Sequence, residues 1–390
     1  MMKYIIVLFV FVLGLFCQNC VAQSNTFYIP PISTDINYAE TQDSHMIVKN
    51  SSLHNDKLFV FLGGTGSSTT SYRRISEFAA DIGFDVINLS YPNTVAAASL
   101  RNASDNLAFD KYRQEICYGT TISDFVTVDS LNSIHTRAVK LLNYLHEIYP
   151  DQLWNQYLLD SNELDWSKII ISGHSQGAGH ASYLAKFNQA ERVIMFSGPN
   201  DYSDHFDRPA NWLRLPSETP IQNHFSYLSL LDEVVDFDKQ FSILKDLKIY
   251  PQYDSIHVDA KLSPYNNSHI LYTTQSPGIA LLNHNATMRF SLTNNTVWEY
   301  MLTTDVSTNV GDLYSDNELL IYPNPMHTFL SIDLKGNKFQ DNYQIYNLNG
   351  QLVLSGGIIG STIQEIDVSS LENGIYYLSV NGGAYKIVKQ

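Results

Sequence analysis

Between Leu58 and Thr274, short apolar runs rich in β-branched residues alternate with longer segments whose apolar positions recur at helical spacing. Short continuous apolar runs are typical of strands buried on both faces of a parallel sheet, and the segments between them are typical of covering helices. The sequence therefore predicts an α/β domain with a mostly parallel sheet flanked by helices. The predicted strands are Leu58–Leu62, Asp85–Leu89, Ile169–Ile171, Arg192–Phe196, Phe225–Leu230 and His269–Tyr272.

One helix is predicted directly by its apolar positions, which recur every three or four residues until Pro150 ends the pattern. A longer connection, Asn93–Asp129, is expected to cover the edge of the sheet where the strands end. The positions that define the helix are Ile134, Ala138, Leu141, Leu142, Leu145 and Ile148.

A serine stands where an apolar run meets a helical segment, in the motif Gly173-His174-Ser175-Gln176-Gly177. In a GxSxG motif the glycines permit a sharp turn from strand to helix, and the turn exposes the serine at the carboxyl edge of the sheet. A serine hydroxyl needs a base and oxyanion donors before it acts as a nucleophile. We predict Ser175 as the nucleophile and the amide of Gln176, at the helix N-terminus, as one oxyanion donor.

The second oxyanion donor is expected in the loop Gly63-Gly64-Thr65-Gly66, which directly follows the first predicted strand. Small residues let the backbone of such a loop approach a substrate. We predict the amide of Thr65 as the second donor, with that of Gly64 as the next choice. Glycine-rich turns after strands are also common in purely structural roles, so the loop gains its meaning from the GxSxG motif further along.

The acid is predicted to be Asp232. In α/β-hydrolases the catalytic residues follow in the order serine, acid, histidine, and Asp232 closes the strand-like run Phe225–Leu231. Glu233, Asp236 and Asp201 are alternatives. Asp201 follows a Gly-Pro-Asn sequence, where aspartate more commonly caps a helix or turn.

The base is predicted to be His284, because only a loop beyond the last strand of the sheet brings an imidazole back to Ser175. His257 is its main competitor, and His269 is expected in or at the start of the last strand. His174 and His180 flank the nucleophile in sequence and are interpreted as packing neighbours. Most of the 12 histidines are expected on the surface or in the core, since one base suffices.

Several segments together resemble a little-characterised bacterial family of proteins with the α/β-hydrolase fold, over most of Leu58 to Thr287. The resemblance implies a serine hydrolase and says little about its substrate. Gly63 stands where a proline is expected in the first loop. The segments are Phe59–Gly66, Asn88–Asn93, Gly173–Gly177, Phe196–Pro199 and Pro209–Leu213.

After about Asn295 the pattern becomes β-like, and Asn349-Gly350 between two alternating runs predicts a hairpin. Three segments resemble the C-terminal sorting domain of the bacterial type IX secretion system: Tyr322–Pro325, Leu371–Leu378 and Lys386–Lys389. The resemblance implies an immunoglobulin-like sandwich that engages the type IX secretion machinery. A carbohydrate-binding or stalk module is the alternative interpretation.

The N-terminus predicts a signal peptide over residues 1–22, with Lys3 before the apolar run Tyr4–Phe16. That run is shorter than the roughly 20 residues of a membrane-spanning helix, so no membrane span is expected in the mature chain. The predicted order is then a hydrolase domain (23–303), a linker (304–317) and a sorting domain (318–390). The expected location is secreted or attached to the cell surface.

Composition narrows the function further. The 390 residues include 24 basic and 39 acidic side chains, a formal net charge of −15, which disfavours nucleic acid as a partner. Outside the predicted leader Cys117 is the lone cysteine and is expected to be buried. The acidic segment that ends in Asp204, His205 and Asp207 lacks the spacing of a calcium loop, so no metal or cofactor is expected.

The sequence thus predicts a carboxylic ester hydrolase that forms an acyl-enzyme through Ser175, His284 and Asp232. Its substrate is expected to be a small-molecule, glycan or lipid ester. Two alternatives stay open: a serine peptidase or amidase, and a catalytically inactive surface protein that binds glycan or protein.

Overall fold

A computed structural model describes residues 24–38, 43–278, 282–289, 291–306, 320–333, 339–347, 351–360, 363–380 and 383–390. The chain divides into two compact units, with the division after Thr304. The predicted signal peptide (1–22) lies outside the described residues, and so does the predicted linker (304–317) apart from residues 304–306.

The first unit contains both helices and strands. Its described α-helices are α1 (Pro31–Thr34), α2 (Arg73–Asp81), α3 (Ala108–Tyr118), α4 (Ile134–Ile148), α5 (Gln176–Phe187), α6 (Phe237–Asp246) and α7 (Leu292–Thr303). Its described strands are β1 (Ser24–Ile29), β2 (His45–Asn50), β3 (Leu58–Leu62), β4 (Asp85–Leu89), β5 (Leu158–Asp160), β6 (Glu163–Leu164), β7 (Ile169–His174), β8 (Arg192–Phe196), β9 (Tyr202–Ser203), β10 (Arg208–Pro209), β11 (His224–Ser229), β12 (Ser255–His257) and β13 (Ile270–Thr273).

Nine of these strands form one mixed sheet in the order β1-β2-β4-β3-β7-β8-β11-β13-β12. The pairs β1/β2 and β2/β4 are antiparallel, and the remaining pairs of this sheet are parallel. Parallel strands end at a common edge, so the loops after β3, β7, β8, β11 and β13 meet there. A ligand site is expected at this edge.

The prediction of a mixed α/β domain is confirmed. Strands β3, β4 and β8 have their predicted bounds, β11 and β13 differ by one residue, and β7 extends to His174. Their side chains are buried on both faces, which is why they are apolar throughout. Helix α4 also has its predicted bounds, and Ser133 caps it by accepting a hydrogen bond from the Thr136 amide.

The long connection over residues 93–129 has two parts. Its second part contains helix α3, whose Phe109, Tyr112 and Ile116 belong to the main core, as does Cys117. The Cys117 thiol is buried as predicted and lies 3.7 Å from Nδ1 of His180. The first part reaches the carboxyl edge of the sheet, where the amide of Ala97 donates to the side-chain oxygen of Gln176 at 3.2 Å.

The second unit consists of two antiparallel sheets around one core. Side chains from both sheets, including Leu330, Ile332, Ile345 and Leu378, form its buried cluster. The predicted hairpin strands pair with each other, and their turn at residues 348–350 lies outside the described part. The sheets are β14-β15-β18 and β17-β16-β19-β20, built from β14 (Leu320–Tyr322), β15 (Phe329–Asp333), β16 (Phe339–Asn347), β17 (Leu352–Gly360), β18 (Ile363–Asp367), β19 (Gly374–Val380) and β20 (Gly383–Lys389).

Candidate active site

Ser175 forms the turn between β7 and α5. Its backbone has φ 56° and ψ −119°, a left-handed conformation that costs an L-residue about 1–3 kcal/mol. The Ser175 amide donates to the carbonyl of Phe196 at the end of β8, at 2.8 Å, which fixes the turn against the sheet. The serine is half-buried. A strained turn that presents a serine at the carboxyl edge is the geometry that the GxSxG motif predicts.

The two glycines of the motif are required by close backbone packing. A Cβ on Gly177 would lie 2.0 Å from the carbonyl oxygen of Leu62, and a Cβ on Gly173 would lie 2.3 Å from the carbonyl carbon of Gly177. Helix α5 therefore begins in contact with the end of β3, and with the loop that follows it.

Gly177→Ala is expected to destabilise the first unit by about 3 kcal/mol, because the methyl group meets backbone atoms that have no rotamer with which to move away. The corresponding loss in Tm is about 6–12 °C for a domain of this size, measured by thermal unfolding. Gly64→Ala serves as a graded control. Its methyl group would lie 3.2 Å from Tyr72 Oη and 3.3 Å from Ser175 Cβ, so we expect reduced activity with most of the stability retained. Equal Tm values for Gly177→Ala and the wild type would contradict the packing argument.

Asp232 and His284 form a buried pair beside this turn. Nδ1 of His284 lies 2.7 Å from Oδ2 of Asp232, and the two side chains are 7% and 0% exposed. The other carboxylate oxygen accepts from the amides of Val234 and Val235, each at 2.9 Å. Burial raises the pKa of Asp232, but hydrogen bonds from His284 and these amides outweigh it and leave the pKa below its usual value. The carboxylate therefore stays charged beside the imidazole.

The imidazole of His284 is also close to the nucleophile. Its ring centroid lies 4.9 Å from that of His174, the residue directly before Ser175. Glu233, one of the alternative acids, instead accepts from the backbone amides of Asn283 (2.8 Å) and His284 (3.1 Å). Glu233 thus holds the segment that carries the base, while Asp232 holds the base itself.

The other two candidate acids are used elsewhere. Asp201 is fully buried and forms a bidentate ion pair with Arg113 of α3, at 2.5 and 2.9 Å. It also accepts from the indole N–H of Trp212 at 2.8 Å. Asp236 caps α6 by accepting from the amides of Asp238 and Lys239. Neither contacts His284 in the described part of the chain.

The competing histidines have other environments. His257 lies in the edge strand β12, four strands from β7 in the sheet, and its Nε2 is 2.9 Å from Oδ2 of Asp259. His269 is buried between the rings of Phe225 and Tyr253, at centroid distances of 4.1 and 3.6 Å. The structure therefore brings His284 to the serine and keeps the other two away.

Among the predicted oxyanion donors, the amide of Gly64 is already engaged, because it donates to Tyr72 Oη at 2.9 Å. This bond removes Gly64 from the set of free donors. Within the described residues, no group accepts from the amides of Thr65 and Gln176. The Thr65 hydroxyl donates to the side-chain oxygen of Gln176 at 2.7 Å, which holds the two residues together. Thr65 and Gln176 thus stay available for an oxyanion.

Asn200 is a site residue that the sequence did not reveal. Its amide lies 3.1 Å from Ser175 Oγ. With the amide oxygen toward the serine, the nitrogen donates to the carbonyls of Ser197 (3.3 Å) and Pro199 (3.2 Å), so both ends are satisfied. The hydroxyl of Ser175 then donates to Asn200. No motif marks this residue, because its role depends on the turn after β8.

The acidic segment disperses its side chains. Asp201 pairs with Arg113, Asp204 with Lys239 at 2.6 Å, and Asp207 accepts from the hydroxyl of Tyr202 at 2.8 Å. In the residues that the structure describes, no group of three or more histidine, cysteine or carboxylate side chains is arranged to hold a metal ion.

Comparison with known families identifies the second unit. Residues 320–390 match the family described as "Secretion system C-terminal sorting domain". The protein is therefore exported by type IX secretion to the cell surface or beyond, as predicted, and residues 320–390 address it to that machinery. None of the helices in the described part of the chain has the length and apolar character to span a bilayer. No curated protein matches the chain.

Proposed function

We propose that the first unit is a serine hydrolase of the α/β-hydrolase fold, and that it cleaves carboxylic esters. The observation that carries the proposal is the buried His284–Asp232 pair at 2.7 Å, next to a serine on a strained turn between strand and helix. Ser175, Asp232 and His284 also follow the chain order of that fold. The mostly parallel sheet supplies the common edge at which they meet.

In the proposed reaction, Nε2 of His284 takes the hydroxyl proton of Ser175 while the serine oxygen attacks the ester carbonyl carbon. Asp232 accepts from Nδ1–H of His284 and stabilises the imidazolium that forms. The amides of Thr65 and Gln176 donate to the new oxyanion, and each such donor is worth about 3–4 kcal/mol in the transition state. The imidazolium then protonates the departing alcohol, and a water molecule releases the acid by the same steps.

The resting arrangement requires one rotation before this transfer. Ser175 Oγ is bonded to Asn200, and Nε2 of His284 is buried without a hydrogen-bond partner in the described part of the chain. Catalytic hydrogen bonds are often long in a free enzyme and shorten when substrate binds. Rotation of the serine side chain toward His284 gives Nε2 its missing partner.

A fluorophosphonate probe tests this function, because it reacts covalently with an activated serine. We expect labelling of the wild-type protein and complete loss of labelling in Ser175→Ala, read by mass spectrometry of the peptide that contains residue 175. Short- and long-chain aryl esters and acetylated sugars then define the substrate class. A folded wild-type protein that never labels would instead support the catalytically inactive binding protein.

A further inference from the structure

We propose that Tyr72 and His174 form a hydrogen-bond chain that positions the catalytic base and the oxyanion loop together, an inference that rests on the proposed function. His174 is the residue of the GxSxG motif that precedes the nucleophile. Its Nδ1 lies 3.1 Å from Tyr72 Oη, and its Nε2 lies 3.1 Å from the carbonyl oxygen of His284. Tyr72 Oη is in turn 2.9 Å from the amide of Gly64. The chain thus joins Gly64 to His284 through two side chains.

The chemistry of each group fixes the direction of every bond in this chain. The carbonyl of His284 only accepts, so Nε2 of His174 carries a hydrogen. Burial and the charge of His284 lower the pKa of His174 to about 3, so the imidazole is neutral and its Nδ1 accepts. Tyr72 must therefore donate its hydroxyl hydrogen to His174. Its oxygen then accepts from the Gly64 amide, and the chain is fully satisfied.

The chain is held in a closely packed environment. His174 is 2% exposed and Tyr72 is 6% exposed. The Tyr72 ring packs against Phe61 of β3 at a centroid distance of 4.8 Å and against His174 at 5.6 Å. A Cβ on Gly64 would lie 3.2 Å from Tyr72 Oη and 3.3 Å from Nδ1 of His174. The side chains therefore have little freedom to exchange partners.

The two ends of the chain meet the two halves of the catalytic machinery. Gly64 precedes Thr65, whose amide is one proposed oxyanion donor. The carbonyl at the other end belongs to His284, the proposed base. Neither Tyr72 nor His174 is proposed to touch the substrate, so they are positioning residues. Loss of the chain is expected to change kcat far more than KM, because small displacements of catalytic groups slow the reaction at constant substrate affinity.

The test combines Tyr72→Phe, His174→Gln and the double variant with Tyr227→Phe as a matched control. Tyr227 is also a buried tyrosine with a bonded hydroxyl, since it donates to Asn294 at 2.7 Å. We expect each of the first two variants to lower kcat about tenfold, with KM within about twofold of the wild type. The double variant is expected to lose little more than either single variant, because both break one chain. Tyr227→Phe is expected to keep the wild-type kcat.

A second measurement does not depend on activity. In ¹⁵N histidine NMR spectra, His174 is expected to stay neutral with its hydrogen on Nε2 from pH 8 to about pH 5, and its Nδ1 resonance should shift in Tyr72→Phe. A hydrogen on Nδ1, or equal kcat values for Tyr72→Phe and Tyr227→Phe in a protein that labels with fluorophosphonate, would overturn the chain. Absence of labelling in the folded wild type would overturn the proposed function instead.

Discussion

Replacing His284 with alanine is expected to lower kcat by about 10⁴-fold to 10⁶-fold, because Ser175 then has no base to take its proton. Folding should change little, since the small residue removes one partner of a pair that already lies at the surface edge of the sheet. Steady-state hydrolysis of an aryl ester measures kcat, and fluorophosphonate labelling measures the reactivity of the serine directly.

His257→Ala is the matched control for this experiment. His257 is also paired with a carboxylate, Asp259, at 2.9 Å, and its ring stacks on Tyr272 at 5.2 Å. It lies in the edge strand β12, away from the turn at Ser175. We therefore expect unchanged kcat for His257→Ala. A large loss in His257→Ala together with normal turnover in His284→Ala would show that the base is assigned to the wrong histidine.

Asp201→Asn is expected to lower the free energy of unfolding by about 3–5 kcal/mol, because it leaves the guanidinium of Arg113 buried without its counter-charge. Both side chains of this ion pair are fully buried. The neutral amide also weakens the bond from the Trp212 indole, which Asp201 accepts at 2.8 Å. Chemical denaturation followed by circular dichroism measures the change.

Asp232→Asn separates the structural aspartate from the proposed catalytic one. It should leave the unit folded while lowering kcat about 10⁴-fold, because the amide no longer stabilises the imidazolium of His284 or selects its tautomer. The opposite pattern, an unfolded Asp232→Asn and a stable but inactive Asp201→Asn, would exchange the roles of the two residues.

Local pattern was sufficient for the elements that are buried on both faces. Strands β3, β4 and β8 are continuous apolar runs, and α4 has a cap, a periodic face and a proline after its end. Strand β1 lies at the antiparallel edge of the sheet and includes exposed positions, so its pattern is weaker and the sequence did not reveal it. Strand β12 is short and was missed for the same kind of reason.

The candidate site was predictable where chain order and strand ends constrain it. Ser175, Asp232 and His284 each follow a recognisable element, and the structure places Asp232 beside His284. The supporting groups were not predictable, because they depend on contacts between distant segments. Tyr72 is 102 residues from His174, and Arg113 is 88 residues from Asp201. A single sequence contains no local pattern that reports such pairings.

The ion pair of Arg113 and Asp201 also restricts how a substrate enters. Arg113 crosses directly over Gly179 of α5, where even a methyl group would lie 2.1 Å from its guanidinium. It also donates to the carbonyl of Gln176 at 2.7 Å. Swinging α3 outward would strand a charge in the protein interior, at a cost of several kcal/mol. Substrate must therefore reach Ser175 past a stationary α3, and any gating motion belongs to the loops around it.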